Sequence, residues 1–269
     1  MRFAIIASAP DTPAYNCHGD IELAFVHLCQ SDAQYAAYFR EAARSGREVI
    51  LDNGVMELPN SVAAKALVEV CWQIRPALVT PPEIMGDGPS TLEMTREFVS
   101  RGADLPPGTG FLGVAHGRNF EEWMASFRAL ADMHEIGRIG IPYDLQFEVP
   151  GTRMPDNASV WERMLQNRLR VVELLDQAGL NCKPVHLLGC VDAIELRAQS
   201  RFPWIVSNDS STVWVTTQQG LEYDPSRGIG CAKKKIDMTS RMPPGRMDLF
   251  RRNLTVVRGF VAGGAGAGH

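Results

Sequence analysis

The sequence predicts an α/β protein with the fold of a single-domain (β/α)8 TIM-like barrel. Short apolar segments rich in β-branched residues alternate with longer amphipathic segments over about 220 residues, as expected for repeated βα units. Most of the short segments are apolar throughout, which is typical of parallel strands that are covered on both faces. A doubly wound open sheet is the alternative architecture for the same alternation.

The predicted elements follow one another along the whole chain. Eight short segments are the predicted strands: Phe3–Ala7, Val49–Asp52, Ala77–Thr80, Phe111–Ala115, Arg138–Ile141, Pro184–Leu188, Trp204–Ser207 and Val213–Thr216. Six amphipathic segments are the predicted helices: Asp32–Ser45, Ser61–Arg75, Ser90–Arg101, Asn119–Met133, Ser159–Ala178 and Asp192–Gln199. Ser90 and Asn119 precede acidic residues, and both are predicted N-caps because the helix dipole favours carboxylates in the first turn.

One domain is predicted for residues 1–258, with a basic C-terminal segment at 221–258 and a flexible glycine-rich tail at 259–269.

The 269 residues are 45% hydrophobic and 22% charged, which excludes a wholly disordered chain, a collagen and a coiled coil. No apolar stretch reaches the roughly 18 residues of a membrane span, and the first apolar run is too short for a secretory signal. The expected compartment is the cytoplasm, or the host cytoplasm if the protein is phage-encoded. The six cysteines include no C-x-x-C pair, which argues against a disulfide scaffold and a Cys-rich zinc site.

Charge is distributed unevenly along the chain. Residues 1–220 carry 18 Lys and Arg against 27 Asp and Glu, whereas residues 221–269 carry 9 against 4. The acidic body argues against indiscriminate nucleic-acid binding, but the basic segment can contact phosphates locally. A solvated basic surface is the alternative interpretation. The predicted phosphate contacts are Lys233, Lys234, Lys235, Arg241, Arg246, Arg251 and Arg252.

Ionisable residues follow most of the predicted strands. Functional residues of (β/α)8 barrels lie at the carboxyl ends of the strands, so these positions predict a site. Each also has a structural interpretation as a turn, a helix cap, a solvated loop or a buried histidine. Because so many ionisable residues are expected at the same rim of the barrel, we favour a functional site over a set of independent structural roles. The strand ends carry Asp52-Asn53-Gly54, Glu83 and Asp87, His116-Gly117, Gly140, His186 and Gly189, and Asp209.

Several other chemistries lack their sequence signatures. The chain contains no G-x-x-x-x-G-K-[ST] loop, no G-x-S-x-G elbow, no H-E-x-x-H motif and no G-x-G-x-x-G after the first strand. No ligand spacing predicts a metal site, although Asp and His could bind one.

The order of the strand-end segments resembles that of the tRNA-guanine transglycosylase superfamily. It is most similar to the DNA-acting branch, the 7-deazaguanine DNA transglycosylases of phages and bacterial genomic islands. The Asp-x-Gly-x-x-(Glu/Gln) segment of the family matches Asp52–Glu57, its Gly-Val-x-Gln-Gly segment matches Gly113–Gly117, and its His-x-x-Gly segment matches His186–Gly189. The resemblance covers residues 48–214.

The resemblance implies a role for each matched position. Asp209 is the expected nucleophile and Asp52 the expected general acid/base, while Glu83, with Asp87 as its competitor, is the expected purine-recognising acid. The implied base-binding residues are Asn53, Gly54, Glu83, Asp87, His116, Gly117, Gly140, His186 and Gly189.

The implied activity is replacement of guanine in DNA by a 7-deazaguanine such as preQ0. A carboxylate can trap the oxocarbenium-like C1′ as a covalent intermediate, while a second group protonates the departing base and deprotonates the incoming one. The implied partners are DNA and the free base, with no cofactor. The chain departs from the family at His116, which replaces a glutamine, and at Glu83, which replaces an aspartate. The C-terminal region contains only Cys231, so the zinc site of the tRNA enzymes is not expected.

Two alternatives remain open from the sequence. The first keeps the enzyme class but takes tRNA as its substrate. The second is a catalytically silent barrel that binds a nucleobase or a nucleic acid. The presence of both Asp52 and Asp209 favours an enzyme, since a silent binder has no need of the pair. The missing zinc subdomain favours DNA over tRNA.

Overall fold

The fold is described from a computed structural model of the chain, which describes residues 1–58, 62–154, 156–190, 192–224 and 235–263. The described residues form an eight-stranded sheet with the order β1-β8-β7-β6-β5-β4-β3-β2. The strands are β1 Arg2–Ile5, β2 Glu22–Phe25, β3 Val49–Asp52, β4 Leu78–Val79, β5 Gly110–Val114, β6 Ile136–Pro142, β7 Val185–Leu188 and β8 Ile205–Ser210.

The strand order confirms the predicted (β/α)8 fold class. The strands are parallel, each neighbour in the sheet is a neighbour in sequence, and β1 pairs with β8. A doubly wound sheet would instead reverse its strand order at a switch point, so that alternative is excluded. Because the strands are parallel, their carboxyl ends lie along the same edge of the sheet.

Helices follow the strands and cover them with apolar faces. The helices are α1 Thr12–Tyr15, α2 Val26–Ser31, α3 Ala33–Arg44, α4 Ala64–Ile74, α5 Gly88–Ser100, α6 Phe120–Asp132, α7 Val160–Gln177, α8 Ile194–Gln199, α9 Thr212–Gln218 and α10 Met247–Gly263. The predicted cap of α6 is confirmed, since the Asn119 side chain accepts from the Glu122 N–H at 2.9 Å. The predicted cap of α5 is wrong: Asp87 is the N-cap and accepts from the Ser90 N–H at 3.0 Å.

Strand β2 was not predicted from the sequence. Its apolar run is interrupted by Glu22, a residue that rarely occupies a buried strand. In the structure, the fully buried Glu22 carboxylate lies 2.8 Å from the Arg47 guanidinium and accepts from the Tyr38 hydroxyl at 2.8 Å. These partners come from other elements, so only the tertiary structure makes a buried glutamate acceptable at this position.

The predicted eighth strand, Val213–Thr216, is wrong. These residues lie in α9, which begins at Thr212, and Val213 and Trp214 are fully buried. The Ser210 hydroxyl accepts from the Thr212 N–H at 3.0 Å and closes the turn that precedes the helix. The β-branched composition of this segment, which by itself favours a strand, is therefore accommodated in a buried helix.

The chain packs as two compact units. Unit 1 comprises residues 1–19, 143–178 and 187–269, and unit 2 comprises residues 20–142 and 179–186. In unit 1, Phe3 and Ile5 of β1 pack with Trp214, Phe250 and other buried residues of the C-terminal region. Helix α10 continues to Gly263, into the predicted tail at 259–269, and residues 264–269 lie outside the described part of the chain. None of the described helices is both long and apolar enough to span a membrane.

Candidate active site

In unit 1, Asp209 lies within a strand rather than after one. Strand β8 extends to Ser210, beyond the predicted end at Ser207, and Asp209 is only 8% exposed. Its Oδ1 atom accepts a hydrogen bond from the Gly189 N–H at 3.0 Å. One carboxylate oxygen is therefore held by the turn that follows β7, as expected for a positioned nucleophile.

A fully buried ion pair supports this turn. The Arg168 guanidinium of α7 contacts both carboxylate oxygens of Glu195, at 2.5 and 2.8 Å. The same guanidinium donates to the carbonyl oxygens of Leu188 at 2.8 Å and Gly189 at 2.9 Å. Arg168 thus connects helix α7 to the backbone that holds Asp209.

The charge of Arg168 is stabilised in spite of its burial. Burial acts to lower the pKa of Arg168, but the negative charge of Glu195 and, more weakly, that of Asp209 act to raise it. The net result is a pKa above the ordinary value of an arginine. The guanidinium therefore remains charged and contributes a positive potential at the Asp209 carboxylate. Asn208 adds a second constraint, because its Nδ2 atom donates to the carbonyl oxygens of Leu187 and Gly189.

In unit 2, the predicted turn after β3 is present. Asp52 is the last residue of β3, and its Oδ1 atom accepts from the Gly54 N–H at 2.7 Å. The buried Asn53 side chain accepts from the Val55 N–H at 2.9 Å and donates to the Pro81 carbonyl at 2.7 Å. Asn53 therefore joins this turn to the loop after β4, and its side chain has a structural role there.

His27 borders the same turn and was not predicted. It follows the missed strand β2, and its Nδ1 atom would lie 2.6 Å from a Cβ atom placed on Gly54. Gly54 also has a φ of +72°, so only glycine fits this position without strain. Burial lowers the pKa of His27, and the Nδ1 atom has no hydrogen-bond partner among the described residues. A neutral imidazole against Gly54, in the turn that Asp52 closes, can take part in proton transfer.

The side chains of Glu83 and His116, both predicted to bind the base, lie close together in unit 2. Glu83 Oε2 lies 3.2 Å from His116 Nε2, and both side chains are buried. The two atoms are close enough for an ion pair but are not aligned as a hydrogen bond. The Gly86 N–H donates to His116 Nδ1 at 3.4 Å, so a neutral His116 carries its proton on Nε2.

Three other predicted base-binding residues have structural roles. Asp87 caps α5, and the hydrogen bond from the Ser90 backbone lowers the pKa of its carboxyl. A Cβ atom on Gly117 would lie 2.3 Å from the Trp123 nitrogen, so glycine is needed for packing against α6. The Gly140 carbonyl accepts from the Ala115 N–H at 3.1 Å and connects β6 to the end of β5.

His186 is fully buried within β7, in unit 2. Gly189 begins the turn after β7 in unit 1 and has a φ of +64°. The two ends of the His-x-x-Gly segment therefore have different environments, and Gly189 is the one that contacts Asp209.

The predicted phosphate contacts differ in how far the structure describes them. Lys233 and Lys234 lie outside the described residues, whereas Lys235 is described and exposed. Arg241 is exposed, and the Arg246 guanidinium lies against Gly220. Arg251 and Arg252 form ion pairs with Asp248 at 3.5 Å and Glu222 at 2.7 Å. These two pairs favour the interpretation of a solvated surface at Arg251 and Arg252.

Two features were not predicted from the sequence: His27 in unit 2 and the Arg168–Glu195 pair in unit 1. A signal existed for Arg168, because it occupies a core position between Met164 and Val171 on the buried face of α7.

Within the described part of the chain, His, Cys, Asp and Glu side chains form no group of three or more that could hold a metal ion. Neither a scan against protein-family models nor a search of curated proteins found a match to the chain.

Proposed function

We propose that this protein is a base-exchange glycosyltransferase that replaces guanine in DNA with a 7-deazaguanine. The observation that carries the proposal is the setting of Asp209. It is a nearly buried carboxylate, held by the Gly189 N–H and supported by the charged Arg168–Glu195 pair. A fixed and desolvated carboxylate suits attack on the C1′ of a nucleotide, where positive charge develops as the base departs.

The remaining groups supply the proton transfer and base recognition that the reaction needs. Asp52 acts as the general acid/base that protonates the departing guanine and deprotonates the incoming base, and His27 borders the same turn at Gly54. Glu83 accepts hydrogen bonds from the N1–H and exocyclic amine of the purine, with His116 beside it. The target base leaves the stack before it reacts. The deprotonated incoming base then attacks C1′ and displaces the Asp209 carboxylate, so one free base is consumed and guanine is released. No phosphodiester bond takes part, and the DNA strand remains intact.

The direct test is transfer of labelled base into a polymer. The full chain is incubated with labelled preQ0 or guanine and with single-stranded DNA, duplex DNA or tRNA, and the label in the polymer is counted. Label in DNA supports the proposal, and label confined to tRNA supports the tRNA-acting enzyme. Absence of label from every polymer, together with binding of the base, would favour the silent barrel.

Asp52→Asn is expected to reduce base exchange by about two orders of magnitude or more, the usual scale for losing a general acid/base. The Asn side chain can still accept from the Gly54 N–H, so the turn after β3 is retained. Gly54→Ala is the contrasting variant: it strains the positive φ and displaces His27, so it loses stability as well as activity. Exchange rates and thermal midpoints distinguish the two. Normal exchange by Asp52→Asn would leave Asp52 with a turn-forming role only.

Glu83→Gln is expected to weaken the use of free base, seen as a raised KM for preQ0 in the exchange assay. A neutral amide no longer offers two carboxylate oxygens to the two purine donors. Asp87→Asn is the matched control, because Asn is as good an N-cap as Asp and retains the start of α5. If Asp87→Asn raised the KM and Glu83→Gln did not, base recognition would belong to Asp87.

A further inference from the structure

Two stacked aromatic side chains lie in unit 1 beside the turn that holds Asp209. The rings of Tyr143 and Trp161 have centroids 6.3 Å apart and planes inclined by 27°. Trp161 is 41% exposed, whereas Trp123, Trp204 and Trp214 are buried. An indole that stacks on another ring and still exposes a large part of its surface is available as a platform for a flat ligand.

A short series of contacts connects this pair to the carboxylate. A Cβ atom placed on Gly189 would lie 2.5 Å from Tyr143 Cδ1, so the tyrosine ring packs directly over this glycine. The Tyr143 N–H also donates to the Leu188 carbonyl at 3.0 Å. The Gly189 N–H in turn donates to Asp209 Oδ1. A single residue, Gly189, thus separates the tyrosine ring from the proposed nucleophile.

The start of helix α7 holds Trp161 in place. Ser159 and Glu162 form a capping box: the Ser159 hydroxyl accepts from the Glu162 N–H, and the Glu162 carboxylate accepts from the Ser159 N–H. Trp161 is the second residue of the helix, and its neighbour Val160 is exposed as well. The buried face of α7 includes Met164, Arg168 and Val171, so Trp161 does not belong to the core stripe.

We propose that the Trp161–Tyr143 pair stacks an unpaired nucleobase next to the one presented to Asp209, and that the DNA substrate is therefore bound as a single strand. This inference rests on the proposed function for its assignment of Asp209. Expulsion of a base leaves its neighbour without a stacking partner, and the exposed indole of Trp161, stacked on the tyrosine that packs over Gly189, replaces that partner. Stacking on aromatic side chains is the sequence-tolerant way in which proteins hold single strands.

The test is the Kd of the full chain for one labelled oligonucleotide, single-stranded and as a duplex, measured by fluorescence anisotropy at several salt concentrations. Trp161→Ala is expected to raise the single-strand Kd roughly tenfold, the scale of losing one stacked base, and Trp161→Phe to recover most of the affinity. The salt dependence stays unchanged, because no phosphate contact is removed.

Trp72→Ala is the matched control. Trp72 is also exposed, but it lies near the end of α4 in unit 2, where its indole donates to the Asp104 carbonyl. We expect this variant to bind single strands as the unaltered protein does. An unchanged Kd for Trp161→Ala, equal losses for Ala and Phe, or failure of the unaltered chain to bind single-stranded DNA would overturn the stacking proposal.

The outcomes also separate this inference from the proposed function. Trp161-dependent binding of single strands without base exchange would preserve the stacking platform and refute the transglycosylase. Base exchange with an unchanged KM for DNA in Trp161→Ala would preserve the transglycosylase and refute the platform. A single-stranded RNA of the same sequence serves as a third ligand, and preferential binding of RNA would contradict the DNA assignment.

Discussion

Asp209→Asn is expected to lower base exchange by about three orders of magnitude or more, because an amide has almost the same shape as a carboxylate but is a poor nucleophile. The Asn oxygen can still accept from the Gly189 N–H, so the turn after β7 and the fold are retained. The measurements are the rate of label incorporation and the covalent protein–DNA adduct seen on a denaturing gel, which should be absent from the variant.

Asp248→Asn is the control for the same chemical change in unit 1. Asp248 is exposed at the start of α10 and pairs only loosely with Arg251, at 3.5 Å. It should exchange base at the unaltered rate and form the adduct. Exchange by Asp209→Asn at the rate of the control would remove Asp209 from the mechanism.

Glu195→Leu is expected to lower the free energy of unfolding by about 3–5 kcal/mol, the scale for breaking a buried ion pair by removing one partner. The variant leaves the guanidinium of Arg168 buried without its carboxylate, while Leu roughly preserves the side-chain volume. Urea denaturation followed by circular dichroism measures the loss. Adding Arg168→Met should recover part of it, because the uncompensated charge is then gone.

The surface pair Arg252–Glu222 provides the comparison for Glu195→Leu. Its two side chains are well exposed and 2.7 Å apart, so Glu222→Gln should cost no more than about 1 kcal/mol. If Glu195→Leu cost as little as Glu222→Gln, Arg168 would not depend on its partner. The conclusion that the Arg168–Glu195 pair stabilises the turn at Gly189 would then be wrong.

Several parts of the site followed from local sequence signals. Asp52-Asn53-Gly54 is a turn-forming segment, and it forms a turn in which the Asp52 side chain binds the Gly54 backbone. Asp209 and Gly189 each end a short apolar segment, and parallel strands bring such ends to one edge of the sheet. The contact between them was therefore accessible from the βα alternation together with the family resemblance.

Other parts depended on partners that are distant in sequence. Glu195 lies 27 positions from Arg168, and no local pattern indicates that the two pair. Asp87 rather than Ser90 caps α5, since the choice depends on where the loop after β4 enters the helix. His27 was missed because the strand before it contains Glu22, whose burial requires Arg47 and Tyr38.

The sequence by itself determined the fold class and seven of the eight strands, because hydrophobic periodicity and turn chemistry are local properties that persist whatever the chain packs against. It also placed the carboxylates at the strand ends. Only the tertiary structure decided which of these groups touch. The Arg168–Glu195 pair, the approach of Glu83 to His116 and the packing of Tyr143 over Gly189 each join residues from separate elements. Their energies arise from burial and charge pairing, which exist only once the elements are assembled.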